Sequence, residues 1–238
     1  GGRNAKFALS ILVVVYVFNF IDRQILTILA EEIQADLGIS DSGIGFLYGT
    51  AFAVFYSIVG IPLGRLADVW TRKNLISIGL ATWSLFTVLS GTARSFTALA
   101  VFRIGVGIGE SSASPSAYSL LSDYFSPRVR TTVLAIYSSG VYIGAGIGLF
   151  LGGTIVEYWN ATYPDPSLAP LGIKGWQAAF IAVGLPGLLL ALVTWLARFT
   201  TGINFRHHRA QIVDLSHIFI FTVHNSKIVS IKPGRIAK

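Results

Sequence analysis

Cysteine and methionine are both absent from the 238 residues, and only 12% of them are charged. Without cysteine the chain has no disulfide framework, no thiolate nucleophile and no cysteine-type metal site. Histidine is confined to residues 207–224, so the long apolar stretch before it offers no imidazole as a general base. No His-Glu-x-x-His, P-loop or strand-then-glycine dinucleotide motif occurs, and no metal or cofactor is expected. What remains is hydrophobic: 53% apolar residues and a mean hydropathy of +0.66, the composition of a membrane protein. The formal charge of +7 does not indicate a nucleic-acid partner. Its basic residues sit in short loops beside apolar runs, where they report orientation in a bilayer.

Six segments meet the requirement of ~20 residues for crossing a bilayer. They lie near 6–35, 41–70, 73–92, 96–124, 128–158 and 174–198. The first is too long for a signal peptide and carries Asp22 and Arg23 at its centre. Basic residues recur in alternate loops. Residues 31–41 hold four acids and no base, whereas 65–73 hold three bases and one acid. Arg128 and Arg130 come two loops later, and Arg198, Arg206 and Arg209 follow the sixth span. By the positive-inside rule both ends face the cytoplasm. Residues 160–173, rich in proline and polar side chains, read as a non-cytoplasmic loop. Two domains are expected: a six-helix transmembrane bundle over 1–198, and a basic cytoplasmic tail over 199–238. The tail reads as a linker remnant or as unrelated sequence after a truncation.

The stretch that organises this pattern is Asn19-Phe20-Ile21-Asp22-Arg23. A charge at mid-bilayer costs at least ~2.5 kcal/mol on the gentlest insertion scale, so two adjacent charges there point to function. At 100° per residue Asn19, Asp22 and Arg23 share one polar face. A receiving face lies on the fourth span, where Arg103, Gly107, Glu110 and Ser114 fall on a stripe about 60° wide. Pro115 beside Ser114 removes a backbone donor and is expected to kink that helix. With spans one and four crossing in opposite directions, Asp22 can meet Arg103 and Arg23 can meet Glu110. Two readings stand. The cluster is a structural ion-pair network, or it is a proton-coupling site in which protonation of Asp22 or Glu110 frees an arginine to re-pair or to hold an anionic group.

Span five carries Gly140, Gly144, Gly148 and Gly152 at every fourth position. Such a ladder allows another helix to approach closely, either as static packing or as a surface that slides. Gly184, Pro186 and Gly187 mark a comparable point in span six. Tyr48, Tyr56, Tyr137 and Tyr142 are candidates to line a cavity, against the alternative of interfacial or core positions.

The turn Gly64-Arg65-Leu66-Ala67-Asp68-Val69-Trp70-Thr71-Arg72-Lys73 carries a family resemblance. It resembles the gating loop of the major facilitator superfamily, Gly-x-x-x-Asp-(Arg/Lys)-x-Gly-(Arg/Lys)-(Arg/Lys). It matches at Gly64, Asp68, Arg72 and Lys73 and departs at Val69 and Thr71. Arg103 with Gly107 and Gly109 resembles the fourth-helix motif of that superfamily, and the glycine ladder resembles its fifth-helix motif without the usual proline. Asn19 to Arg23, together with Arg103-Ile-Gly-Val-Gly-Ile-Gly-Glu110 and Ser111 to Pro115, is similar to the spinster-like branch, especially its bacterial members. The resemblance runs from about Phe7 to Leu196.

The resemblance implies an all-α membrane protein whose six helices form one half of a major facilitator fold, built as a 3+3 inverted repeat. It implies a proton-driven transporter of small amphiphilic, lipid-like or organic-anion substrates in membrane lipid, placed in a bacterial inner membrane. Asp22 and Glu110 would couple protons, Asn19, Arg23, Arg103 and Ser114 would pair charges or hold substrate, and Gly64, Asp68, Arg72 and Lys73 would gate. The family uses twelve spans, so a second six-helix half, from another chain or a copy, is the expected partner; the alternatives are an inactive fragment or a membrane scaffold. An intramembrane enzyme is disfavoured: Gly109-Glu110-Ser111-Ser112 is superficially similar to a serine-protease motif, yet no span carries a histidine.

Overall fold

Six antiparallel rods make up the computed structural model, which describes residues 2–197. The expected tail at 199–238, with Arg198, Arg206 and Arg209, lies outside the described residues. The first rod is α1 (Arg3–Ile28) continued by α2 (Ala30–Leu37). The second is α3 (Asp41–Gly45), a π-helical turn (Phe46–Thr50) and α4 (Ala51–Val69). The third is α5 (Arg72–Ser90). The fourth joins α6 (Phe96–Glu110) to α7 (Ala113–Tyr124), the fifth joins α8 (Pro127–Ser138) to α9 (Gly140–Thr162), and the sixth is α10 (Gly175–Leu196). No strand occurs among the described residues.

Local chemistry accounts for the interruptions. Pro115 has no amide proton for the Ser111 carbonyl, and its ring crowds that carbonyl. The fourth rod accordingly breaks at Ser111 and Ser112 and restarts with Pro115 in the first turn of α7, where a missing donor costs nothing. The fifth rod breaks at the Ser138-Ser139-Gly140 step, a composition that favours kinks. Gly38 ends α2 in the left-handed region at φ 63°, a conformation a side chain would resist. Between rods five and six the expected loop is shorter than its composition suggests, because α9 runs on to Thr162 before two short 3-10 turns.

Four of these rods, Arg3–Ile28, Asp41–Val69, Pro127–Thr162 and Gly175–Leu196, are long and apolar enough to cross a membrane on length and composition alone. Rods three and four are less apolar because they carry the buried polar groups of the bundle. Ser77, Ser84, Thr87 and Ser90 are buried on α5, and Arg103, Glu110, Ser111, Ser112 and Ser116 on the fourth rod.

The neighbours of each rod reveal an internal relation. α1 lies along α9 as α4 lies along α6, α5 lies along α6 as α10 lies against α1, and α5 lies along α10. Exchanging rods one, two and three for four, five and six maps these contacts onto one another. Partners are three crossings apart, so the two triplets run in opposite senses, which is the relation of an inverted repeat.

In lipid, apolar surface gives helices little reason to associate, and close van der Waals packing between backbones takes over. Glycines supply it here. Gly140, Gly144, Gly148 and Gly152 are all buried, and each faces α1. A Cβ at Gly144 would stand 2.5 Å from the Val17 carbonyl oxygen, whereas one at Gly146 or Gly153 would meet nothing within 4 Å. Gly109 sets the α5–α6 crossing in the same way, with a Cβ falling 2.6 Å from the Trp83 amide nitrogen. Gly144→Val is therefore expected to destabilise the bundle by about 1–3 kcal/mol through overpacking. Thermal melts of the purified protein should show a lowered midpoint for Gly144→Val and wild-type midpoints for Gly146→Ala and Gly153→Ala.

Candidate functional site

Rods one, three and four bring their polar faces together in the middle of the bundle. Arg103 Nη1 on α6 donates to Asp22 Oδ2 on α1 at 3.3 Å, and both side chains are almost wholly buried. One turn along α6 from Gly107, Glu110 Oε2 accepts from Arg23 Nε at 2.8 Å. Both pairings that the helical spacing allows are thus present at once, as two crossed ion pairs between the same two helices. The quartet is formally neutral, which is what permits four charges to sit in a low-dielectric interior.

The two pairs differ in surroundings. Asp22 has a second partner, Thr87 Oγ1 on α5, at 2.5 Å from its Oδ1. Glu110 is completely buried, whereas the side chain of Arg23 is 28% exposed. Arg23 is also walled by aromatic rings, its guanidinium carbon lying 5.3 Å from the Phe20 centroid, 4.7 Å from Phe52 and 5.1 Å from Tyr56. Such contacts hold a guanidinium in place without neutralising it, at about 0.5–2 kcal/mol each. Within the quartet two buried atoms have no hydrogen-bond partner, Arg103 Nε and Glu110 Oε1.

Other expected site residues lie elsewhere. Asn19 is buried on the polar face of α1, one turn from Asp22. Ser114 does not join the quartet: the break at Ser111 ends the regular 100° step, and Ser114 lies beside Tyr137 of α8 instead. Tyr137 is buried and stacked on Tyr16 at 4.3 Å. Tyr48 and Tyr142 are exposed, and Tyr56 is the only one of the four tyrosines named from sequence to touch Arg23 among the described residues.

At the basic end the turn residues separate. Arg72 pairs with Asp123 at the end of α7 and donates from Nε to the Ala67 carbonyl at 3.2 Å. Lys73 donates to the Trp195 carbonyl at 2.6 Å and the Ala197 carbonyl at 3.2 Å, tying the start of rod three to the end of rod six. Gly64 has open space where a side chain would be, and Asp68 is exposed with no ion pair among the described residues. At the acidic end Asp36 pairs with Lys174 and accepts from Trp176 Nε1 at 2.8 Å. Asn160 there donates to Glu32 at 2.9 Å.

Sequence reasoning missed Thr87, Phe52 and Asp123. Thr87 had a faint signal, because Ser77, Ser84 and Thr87 recur on one face of an otherwise apolar helix. Phe52 and Tyr56 sit one helical turn apart, a spacing that many core aromatics share.

Comparisons with known proteins agree with this architecture. Residues 12–220 match the profile of the Major Facilitator Superfamily. A probable L-galactonate transporter of Escherichia coli is 29% identical over 185 residues, covering 78% of this chain and 37% of its own length. A sphingosine-1-phosphate transporter of Danio rerio is 32% identical over 187 residues, covering 77% and 37%. The crystal structure of a bacterial homologue of the human lysosomal transporter spinster, inward-facing and unoccupied, superposes with a TM-score of 0.78 at 35% identity. That match covers 85% of this chain and 45% of the other. The chain therefore spans about two fifths of the length of the curated relatives it matches.

Breaking one member of a buried pair leaves an uncompensated charge and typically costs about 3–5 kcal/mol, more than the pair itself contributes. Arg103→Gln alone should therefore destabilise the bundle strongly, and adding Asp22→Asn should recover much of the loss. A double-mutant cycle on thermal or denaturant unfolding checks this, and simple additivity would count against a coupled pair.

Proposed function

The chain belongs to the Major Facilitator Superfamily, and from that premise we propose that it forms one half of a proton-coupled secondary transporter, not an enzyme, for an anionic amphiphilic or lipid-like substrate. The observation that carries the reading is the crossed quartet with two atoms left over, Arg103 Nε and Glu110 Oε1. A static clamp gains nothing from an unsatisfied donor and an unsatisfied acceptor in one buried cluster. A switch does, because each is a vacant place for a second partner.

The cycle follows from charge. A proton on Asp22 removes the anion that Arg103 faces, and Arg103 is left buried and positive. Glu110 is the other acid of the quartet and has a free oxygen to receive it. Once Glu110 is shared with Arg103 or protonated, Arg23 loses its carboxylate partner and can take an anionic substrate group between Phe20, Phe52 and Tyr56. The cost of an unpaired buried charge, about 3–5 kcal/mol, is comparable with the ~5.5 kcal/mol that carries a two-state equilibrium from 1:99 to 99:1. Loss of one pair is thus large enough to bias an alternating-access equilibrium.

Support for the substrate class comes from the site and from the relatives' names. Arg23 is the exposed charge of the quartet and is ringed by aromatic surface, which suits an anionic head joined to an apolar body. L-galactonate is a carboxylate and sphingosine-1-phosphate a phosphate, so both named substrates carry the charge that an arginine would hold. Asn19, one turn from Asp22, is assigned to the substrate face, whereas Ser114, beside Tyr137, is not. By the positive-inside rule the end bearing Arg65, Arg72, Lys73, Arg128 and Arg130 is cytoplasmic, in a bacterial inner membrane. Gly64 and Asp68, which this bundle leaves open, would meet the second six-helix half at the inner gate, while Arg72 and Lys73 brace it from within.

In proteoliposomes holding the chain with its second half, Asp22→Asn and Glu110→Gln are each expected to abolish uptake driven by an imposed pH gradient while leaving membrane insertion intact. Wild-type rates in both variants would rule out the coupling role. Absence of flux in the wild type at every imposed gradient, with folded protein, would identify a membrane scaffold.

A further inference from the structure

Asp22 makes a contact that the crossed ion pairs do not require. Thr87 Oγ1 on α5 stands 2.5 Å from Asp22 Oδ1 and 2.9 Å from the carbonyl oxygen of Trp83, one turn back on its own helix. A threonine hydroxyl owns one proton and can donate it to only one of these two acceptors at a time. Beside them is a small void of about 10 Å³, lined by Phe18, Asp22, Trp83, Ser84, Thr87, Val183 and Gly184. That is room for about one water, with the Asp22 carboxylate and the Ser84 and Thr87 hydroxyls as its polar partners.

We propose that Thr87 is a positioning residue for the proton-accepting step, a hydroxyl rotor that holds Asp22 in either charge state from the rod-three side. This rests on the reading of Asp22 as a proton carrier. With Asp22 ionised, Thr87 donates to Oδ1 while Arg103 donates to Oδ2. When a proton arrives through the pocket beside Ser84, it settles on Oδ1. Thr87 then turns its own proton to the Trp83 carbonyl and accepts from the new carboxyl O–H. One proton has been added, none has left Thr87, and no buried donor or acceptor at this contact is stranded in either state. Arg103 alone loses its anion, so the change of charge is passed to α6 and not absorbed at α5.

The groups facing Asp22 leave this role to Thr87. Rod four contributes Arg103 and Glu110, α1 itself contributes Arg23, and rod six offers only Val183 and Gly184 at the pocket. From α5 come the hydroxyls of Ser84 and Thr87 together with Trp83, and no charged group.

Infrared difference spectroscopy of the 238-residue chain in lipid nanodiscs, followed through a pH titration, tests this directly. The protonated-carboxyl band that Asp22→Asn removes identifies Asp22. In Thr87→Val, which keeps the side-chain shape, the band should move to higher wavenumber because the carboxyl O–H has lost its acceptor. It should also appear at a pH about one unit higher, a tenfold change in proton affinity, because a hydrogen bond to an ionised acceptor is stronger than one from the neutral acid. Thr87→Ser, which retains the hydroxyl, should restore both features. An Asp22 band of unchanged position and unchanged pH in Thr87→Val overturns the rotor while leaving Asp22 as a proton carrier. A wild-type spectrum with no Asp22 band at any pH at which the protein is folded overturns both.

Discussion

Neutrality of four charges gathered inside the bundle is the constraint on which the rest of it depends. Asp22, Arg23, Arg103 and Glu110 can occupy an apolar interior only as two complementary pairs, and no single charge could stay there alone at a tolerable cost. The pairs join rod one to rod four, the first rods of the two triplets. The link therefore runs between equivalent positions of an inverted repeat. Rods three and six flank this seam, and α5 supplies the hydroxyl contact to Asp22.

Packing keeps the charged rods from adjusting independently. The ladder from Gly140 to Gly152 holds α9 on α1, and Gly109 holds α6 on α5. Each places backbone against backbone, where an added methyl group has nowhere to go. At the two ends, Arg72 with Asp123 and Asp36 with Lys174 and Trp176 tie neighbouring rods together. A bundle closed in this way has its freedom concentrated in side-chain partners at the centre. Gly64, with open space where a side chain would be, and Asp68, with no ion pair among the described residues, stand outside these ties.

Much of this was legible in sequence for a definite reason. Charges are so costly in an apolar run that Asp22, Arg23, Arg103 and Glu110 stand out unaided, and the 100° helical step puts each acid within reach of a base on the other helix. The six rods followed from hydropathy, although rods three and four are less apolar than the rest because their inner faces carry the polar groups. The same step failed at Ser114, since Pro115 interrupts the helix at Ser111 and the angular count does not survive a break. Phe52 was not legible at all, and Thr87 only faintly. A threonine or a phenylalanine in a membrane helix is common, and which neighbouring rod it faces is decided by tertiary packing. The π-helical turn at Phe46–Thr50 likewise has no signature in its residues.

We propose that Arg23 and Arg103 change partners when a carboxylate takes up a proton. Nitrogen-15 resonances of the Arg23 and Arg103 side chains, resolved in the chain in nanodiscs and followed with pH, test it most directly. The account predicts that both guanidinium signals shift together, with one common midpoint, and that Asp22→Asn abolishes the transition. Two arginine signals that stay fixed across the whole pH range in which the protein remains folded would contradict it.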